Sequence, residues 1–555
     1  MKINVLVGRL LLSTALVASS SLAVSAKPAS KPAHVEAQRL SDHIKVLASD
    51  AFEGRGPATP GEEKTIAYVS KAFASYGLKP GGPNGSWFQD VTLLRTKNIG
   101  PVASSFHAGA WSRGLAYGTE IVIGTQQPVD HVTLANAPLV FVGYGVHAPE
   151  RGWDDYAGLD LHGKVAVVLV NDPDYEADLG GLFGGKAMTY YGRWTYKFEE
   201  AARQGAAGVI IVHETKPASY GWPTVQGSWS APQFDIVRVD PMKERTPLQG
   251  WMQRDVAVEL FKQSGLDFEA MKHAAQQKGF KAVPMNATFS ADFKVEAQKT
   301  VTHNVLARLP GKGHPNETII YGAHWDHLGR GVPDKTGDDI YNGAVDNASG
   351  TAGLLELARV FAAGPKPDRS ILFIAYTSEE KGLLGSEFYA AHPIYPLETT
   401  VGGFNMDGLP VNGPSRDITV TGWGLSTLQD DLDKAAKAQG RVIEAEGHPE
   451  SGGYFRSDHF SFAKRGVPMM DAGSGPDLVN GGREAGKKAG EDYVTNRYHQ
   501  PKDEWRADWD LSGAVQDLTL WHDMGWALAN SREWPEWKAG AEFKGIRDAS
   551  AAARK

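Results

Sequence analysis

The 555-residue chain carries 57 basic and 65 acidic side chains, for a formal charge of −8, and has no cysteine. The missing cysteine excludes disulfides, thiolate metal sites, a cysteine nucleophile and a lipid-modified N-terminal cysteine. The acidic balance argues against nucleic acid, whose binding draws on a basic patch, and the length corresponds to about three to four structural units.

Taken in chain order, residues 1–26 place Lys2 and Arg9 ahead of an apolar run, Leu10 to Ala18, and end in the small residues Val24-Ser25-Ala26. That pattern predicts a secretory signal peptide cleaved after Ala26, and hence an exported protein, periplasmic or secreted. Serines break the apolar run, which is shorter than the roughly 20 apolar residues a spanning helix needs, and no later segment meets that length. No integral membrane segment is expected once the signal is removed. Cleavage leaves 55 basic against 65 acidic side chains, a formal charge of −10. Residues 27–33 read as a flexible Pro/Ala/Ser/Lys tail.

From residue 34, apolar positions at helical spacing (Leu40 through Leu47, then Ile66, Val69, Phe73 and Leu78) predict two helices separated by a Gly/Pro-rich break at Gly54 to Gly61. Between 136 and 283 the texture changes. Short β-rich runs (Leu139 to Val142, Val165 to Val170, Gly208 to Val212) alternate with a helix ending at Gly205 and with long Gly- and Trp-containing loops, which reads as an inserted β-rich α/β domain. The competing expectation places these strands in one large sheet with the rest. After Val301 the pattern is regular: strands 304–309, 318–323, 370–376 and 401–406 and helices 350–363 and 382–391. Continuous apolar strands followed by helices imply an α/β fold, a mostly parallel mixed sheet covered by helices on both faces. Ligands bind such sheets at the carboxyl ends of the strands.

Candidate chemistry falls at those ends. His324 follows an apolar strand, and Asp326, two residues on, is suited to orient its imidazole; His327 is a spare imidazole beside them. Asp346 precedes a helix, where a capping role is the bland reading. It is chosen as a bridging ligand because a carboxylate can bind two cations with its two oxygens. Glu379 and Glu380 leave a strand as an adjacent pair whose side chains point to different sides, so that one can ligate while the other serves as a general base. Asp407 ends a further strand, and His499 lies far along the chain. Together they form one site for two Zn2+: His324, Asp346 and Asp407 around the first, Asp346, Glu380 and His499 around the second. Ser457 to His459 read either as support or, for Asp458 and His459, as substrate contacts, and Tyr454 as a possible oxyanion donor. The run from Gly473 to Gly490 reads as a mobile rim loop.

The runs His324-Trp325-Asp326, Gly343 to Gly350, Glu379 to Ser386, Asn405-Met406-Asp407 and Tyr498 to Pro501 resemble the co-catalytic di-zinc exopeptidases that include bacterial secreted aminopeptidases and glutamate carboxypeptidase. The resemblance implies a catalytic domain of the zinc-exopeptidase type over 34–135 and 284–540, a C-terminal tail at 541–555, and a protease-associated domain as the insert at 136–283. It also implies the ligand set above, Glu379 as general base, Asp326 as orienting carboxylate, and peptide substrates.

The expected reaction is removal of N-terminal residues from peptides by an activated water. Three rivals share the scaffold: a carboxypeptidase or dipeptidase, a glutaminyl cyclase working with one zinc, and a non-catalytic binding protein. A carboxypeptidase would hold the terminal carboxylate with an arginine, and Arg456, Arg465, Arg483 and Arg497 lie in the late segment that could supply it.

Overall fold

The computed structural model describes Met1 and residues 33–554; the expected signal peptide beyond Met1 and nearly all of the tail after it lie outside the described residues. The architecture follows from strands whose two faces are both apolar. In strand His314–His324, Ile319, Tyr321 and Ala323 join one core while Ile320 joins another; in Arg369–Tyr376, Ile371, Phe373 and Ala375 alternate with Leu372, Ile374 and Tyr376 in the same way. Successive side chains leave a strand on opposite faces, so such runs require helices on both. Helices Ala37–Leu47, Pro60–Ser75, Gly350–Ala363 and Ser512–Asn530 cover the first face through Leu40, Phe73, Leu354 and Trp521. Helices Leu384–Ala391 and His459–Ala463 cover the second through Tyr389 and Phe462.

At the centre, His314–His324 lies parallel between Arg369–Tyr376 and Thr400–Asn405, and Thr400–Asn405 is parallel to Met469–Ser474. Helix Gly350–Ala363 falls where its sequence pattern predicts. The predicted strand 304–309 is the end of a much longer one, Val283–Leu309, which pairs antiparallel with Phe88–Ala108 from Val305↔Phe88 to Thr288↔His107.

These two long strands carry the hydrogen-bonded ladder into a second lobe. There Val165–Leu169, Gly208–His213 and Leu248–Gln253 run parallel and Ile121–Gly124 closes the edge antiparallel. Pairing is therefore continuous in one 16-stranded sheet, as the competing expectation had it, but the second lobe has its own cores. Val165, Val167 and Leu169 pack with helices Arg254–Gln263 and Phe268–Ala275, and Ala166, Val168 and Val170 with helix Trp194–Arg203. The first of these cores reaches from Phe106 to Val295, wider than the expected 136–283, because the long strands bury alternate residues in both lobes.

The expected rim loop from Gly473 to Gly490 is half helical, since helix Gly482–Asn496 takes its second part. Glu484, Ala485, Lys487, Lys488 and Ala489 favour helix, and Gly486 lets that helix press against Pro476, whose carbonyl oxygen would lie 2.0 Å from a Cβ. No helix among the described residues is long and apolar enough to cross a membrane.

Candidate metal centre

Three parallel strands end on the same edge of the sheet, and each delivers part of the site. His324 is the last residue of its strand, opposite Tyr376. Beyond Tyr376 the chain turns through Ser378 (φ 55°) into the short 3-10 turn Glu379–Lys381. Asp407 lies two residues past the end of Thr400–Asn405. Asp346 is in the irregular turn Ala344–Ser349 that enters helix Gly350–Ala363, and the Asp346-Asn347 peptide bond is cis. His499 follows helix Gly482–Asn496.

The five predicted ligands converge. His324 Nε2 is 3.1 Å from Asp407 Oδ1 and 3.3 Å from Asp346 Oδ1. On the other side, His499 Nε2 is 3.2 Å from Asp346 Oδ2 and 3.1 Å from Glu380 Oε2. The two oxygens of Asp346 thus face different imidazoles, which is what a carboxylate shared between two cations requires. Glu379 Oε2 stands 4.0 Å from His324 Nε2, beside the clusters. The spare, His327, is also there: its ligand atom, with those of Asp346 and Glu380, forms a second group compact enough to hold an ion, as His324, Asp346 and Asp407 form the first. Glu380 Oε1 and both ring nitrogens of His327 are buried without a hydrogen-bond partner. Such orphans are what a cation would satisfy, so the donor set fits two divalent ions with imidazole and carboxylate ligands.

Surrounding groups fix these side chains. Ser457 Oγ donates to Asp407 Oδ2 at 2.6 Å and accepts from Asn405 Nδ2 at 2.8 Å. Asn347 Nδ2 donates to the Met406 carbonyl while its Oδ1 accepts from the amides of Gly350 and Gly408, each at 2.9 Å, tying the Asp346 turn to the Asp407 loop. The Asp503 carboxylate accepts from the amides of Val345 and Asp346, and its carbonyl from Ala344. Arg55, buried, donates to the carbonyls of Trp325, Leu47, Asn342 and Gly343 at 2.6 to 2.9 Å. None of Arg55, Asn347 and Asp503 carries a role in the sequence reading. For Asn347 and Asp503 the available signal was their adjacency to ligand runs; for Arg55, 270 residues before its partner Trp325, there was none.

Asp326 is placed differently from its expected role. His324 Nδ1 is 3.1 Å from the Asp326 carbonyl oxygen and 3.7 Å from the carboxylate, which instead accepts the Glu379 amide at 3.0 Å. Its side chain supports the turn bearing Glu379, while its backbone faces the imidazole. Tyr454 donates its hydroxyl to the Met469 carbonyl at 3.1 Å, so the phenol is engaged rather than free for an oxyanion. Asp458 and His459 are fully buried; the His459 ring lies 4.5 Å from that of Tyr454. Asp458 and His459 enter the core at the start of the short helix His459–Ala463, and Tyr454 enters it from the 3-10 turn Gly453–Phe455.

The electrostatics are those of a dense ion cluster. Burial alone would lower the His324 pKa, but Asp407, Glu379 and Asp346 hold it well above the ordinary value. Burial would raise Asp346, but His324, His499 and His327 hold it well below. Glu379 is pushed well up by burial and by the carboxylates of Asp407, Glu380 and Asp458, with His324 opposing. A carboxylate so placed is a strong proton acceptor.

Fold and site together define an α/β protein with two His/carboxylate clusters sharing one aspartate at the carboxyl edge of its sheet. Residues 304–521 match the model described as peptidase family M28, so the family likeness covers this segment of the chain. It is 29% identical over 192 residues to leupeptin-inactivating enzyme 1 of Streptomyces exfoliatus, covering 34% of this chain and 39% of that one. It is 28% identical over 239 residues to leucine aminopeptidase 2 of Trichophyton rubrum, covering 39% and 44%. The chain spans less than half the length of these curated relatives. Among solved structures, the aminopeptidase from Aneurinibacillus sp. strain AM-1 aligns over 90% of this chain and 95% of its own, at 22% identity and a TM-score of 0.47.

Proposed function

We propose that this protein is an exported, periplasmic or secreted, zinc-dependent exopeptidase that removes N-terminal residues from peptides, with the second lobe as a protease-associated domain. The observation that carries the reading is the division of the Asp346 oxygens between His324 and His499, with Glu379 alongside. His324, Asp346 and Asp407 would hold one Zn2+, and Asp346, Glu380 and His499 the other. Two such ions supply Lewis-acid polarisation of a carbonyl and acidify a water. Glu379 takes the proton from the attacking water and returns it to the leaving amine. Asp326, through the Glu379 amide, holds that turn in register with the His324 strand.

Two features favour the amino terminus over the carboxyl terminus. Three of the four late arginines are occupied: Arg465 by Glu387, Arg483 by Glu444 and Asp417, and Arg497 by Asp492. Asp471, at the sheet edge beside Asn405, has no lysine or arginine partner among the described residues, and burial together with Asp407 and Glu446 pushes its carboxyl up to about 8. A carboxyl among these acids, with the His459 ring nitrogen near it at 3.5 Å, suits an ammonium group rather than a carboxylate.

The test is hydrolysis of unblocked tripeptide amides against N-acetylated tripeptides with a free carboxylate, by zinc-loaded protein. Cleavage restricted to the unblocked set is expected, and Glu379→Gln is expected to lower kcat by at least about 100-fold with both ions retained. Cleavage of the blocked set alone would make the protein a carboxypeptidase, and a stoichiometry of one zinc would favour a cyclase.

A further inference from the structure

His327 has no part in the ligand set proposed above, yet its surroundings are those of a ligand. It is fully buried, and neither ring nitrogen has a hydrogen-bond partner. A buried imidazole left in that state costs the desolvation of both nitrogens, and water cannot reach it from outside. Its Nδ1 lies 2.6 Å from Glu380 Oε1, but the pair is misaligned for an N–H···O bond, so Oε1 is an orphan as well. The same Nδ1 is 4.0 Å from Asp346 Oδ2. His499 approaches the same two carboxylates from the other side, at Glu380 Oε2 and Asp346 Oδ2, with the two rings edge to face and 5.7 Å apart. Two imidazoles thus converge on the two oxygens of one glutamate, and both nitrogens of the buried one, His327, are unsatisfied, the arrangement expected of a lone pair aimed at a cation shared with His499.

The ring has little freedom to turn away. Its backbone amide donates to the Arg55 carbonyl at 3.3 Å. Above it lies Gly343, at φ 52°, where a Cβ would come 2.5 Å from the His327 Cγ. Both the bare glycine and the carbonyl anchor are needed to seat an imidazole at this depth.

We propose that His327 is a third imidazole ligand of the metal centre, on the cation held by Asp346, Glu380 and His499. This rests on the two-ion reading above. It makes the two positions chemically unequal: His324, Asp346 and Asp407 offer one nitrogen and two carboxylates, whereas His327, His499, Asp346 and Glu380 offer two nitrogens and two carboxylates. Four protein donors complete the usual zinc shell, so the second ion is the tightly held one, and the first, with three, keeps the exchangeable position.

The full-length protein, labelled with 15N-histidine and loaded with 113Cd, provides a test independent of activity. Three imidazoles with 15N–113Cd coupling are expected, one through the Nδ1 of His327, and His327→Gln should reduce them to two. In metal titration the same variant should bind the second ion at least tenfold more weakly while the first ion binds as in wild type, which also reports that the fold is intact. Two bound ions with only two coupled imidazoles, or unchanged affinities in His327→Gln, would overturn the assignment and leave the two-ion reading standing. Failure to bind two ions at all would instead overturn that reading, and this inference with it.

Discussion

Arg55 shows how much of the proposed metal centre depends on a residue outside its ligand set. Burial lowers its pKa to about 10, with Asp346, Asp503 and Asp326 opposing, so the guanidinium is charged at neutral pH. It gathers four carbonyls from three segments, among them Trp325, between His324 and Asp326, and Gly343, three residues before Asp346. Lysine has one nitrogen and cannot reach all four. Arg55→Lys, with three donors on that nitrogen, should therefore leave at least one buried carbonyl unpaired, at about 1–3 kcal/mol. The expected outcome is a drop in the denaturant midpoint together with weaker binding of both ions; a variant that lost stability but kept wild-type metal affinity would separate Arg55 from the site. The same residue marks the limit of sequence reading. His324, Asp346, Glu379, Glu380, Asp407 and His499 were legible because each sits in a short run whose chemistry is local. Arg55 and Asp503 act on backbone groups across the fold, and a donor to a distant carbonyl leaves no pattern in its own neighbourhood.

At the scale of elements, the site depends on how closely helix Gly350–Ala363 enters between two loops. A Cβ on Gly350 would lie 2.2 Å from Asn347 Oδ1 and 2.5 Å from the Met406 carbonyl. Neither can yield, since Asn347 holds both the Asp346 turn and the Asp407 loop through its side-chain amide. Gly350→Ala should push Asp346 and Asp407 apart and weaken the first ion tenfold or more while sparing the Glu380/His499 side, readable as two separate steps in a metal titration. Equal weakening of both ions would mean that the helix moves as a whole. The strands that carry these loops were legible as apolar runs. The long strand Val283–Leu309 was read only at its end, although Met285, Ala287, Phe289, Ala291, Phe293 and Val295 recur with period two. Half-buried alternation is the signal of a strand with one wet face, and it is quieter than the continuous apolar runs on either side of it. Missing that strand is also why the second lobe was expected to be narrower than it is.

For the whole molecule, the seam between the lobes is ionic as well as covalently continuous. Lys464 reaches Glu199 of the second lobe at 3.4 Å and Glu387 of the first at 3.1 Å, and Arg465 pairs with Glu387 at 3.0 Å. These groups line a cavity of about 450 Å³ with Arg203, Arg238 and Arg245. Burial would raise the Glu387 pKa, but Lys464 and Arg465 overcome it and hold the carboxyl well below the usual carboxylate range. A carboxyl depressed in the folded state stabilises it fully above the ordinary glutamate pKa of about 4.3, and that contribution is lost as pH falls through the folded value. Glu387→Gln keeps the shape and removes the charge, so it should cost about 2 kcal/mol at neutral pH. The difference from wild type should shrink below about pH 4, where the wild-type carboxyl begins to be neutralised in the unfolded chain. Thermal unfolding of both proteins from pH 3 to 8 checks this: curves that converge toward acid place the seam's stability in the Glu387 charge, whereas a constant offset would assign it to packing around the helix Leu384–Ala391. Because Lys464 also grips Glu199, loosening at Glu387 should let the second lobe unfold ahead of the first, splitting one calorimetric transition into two.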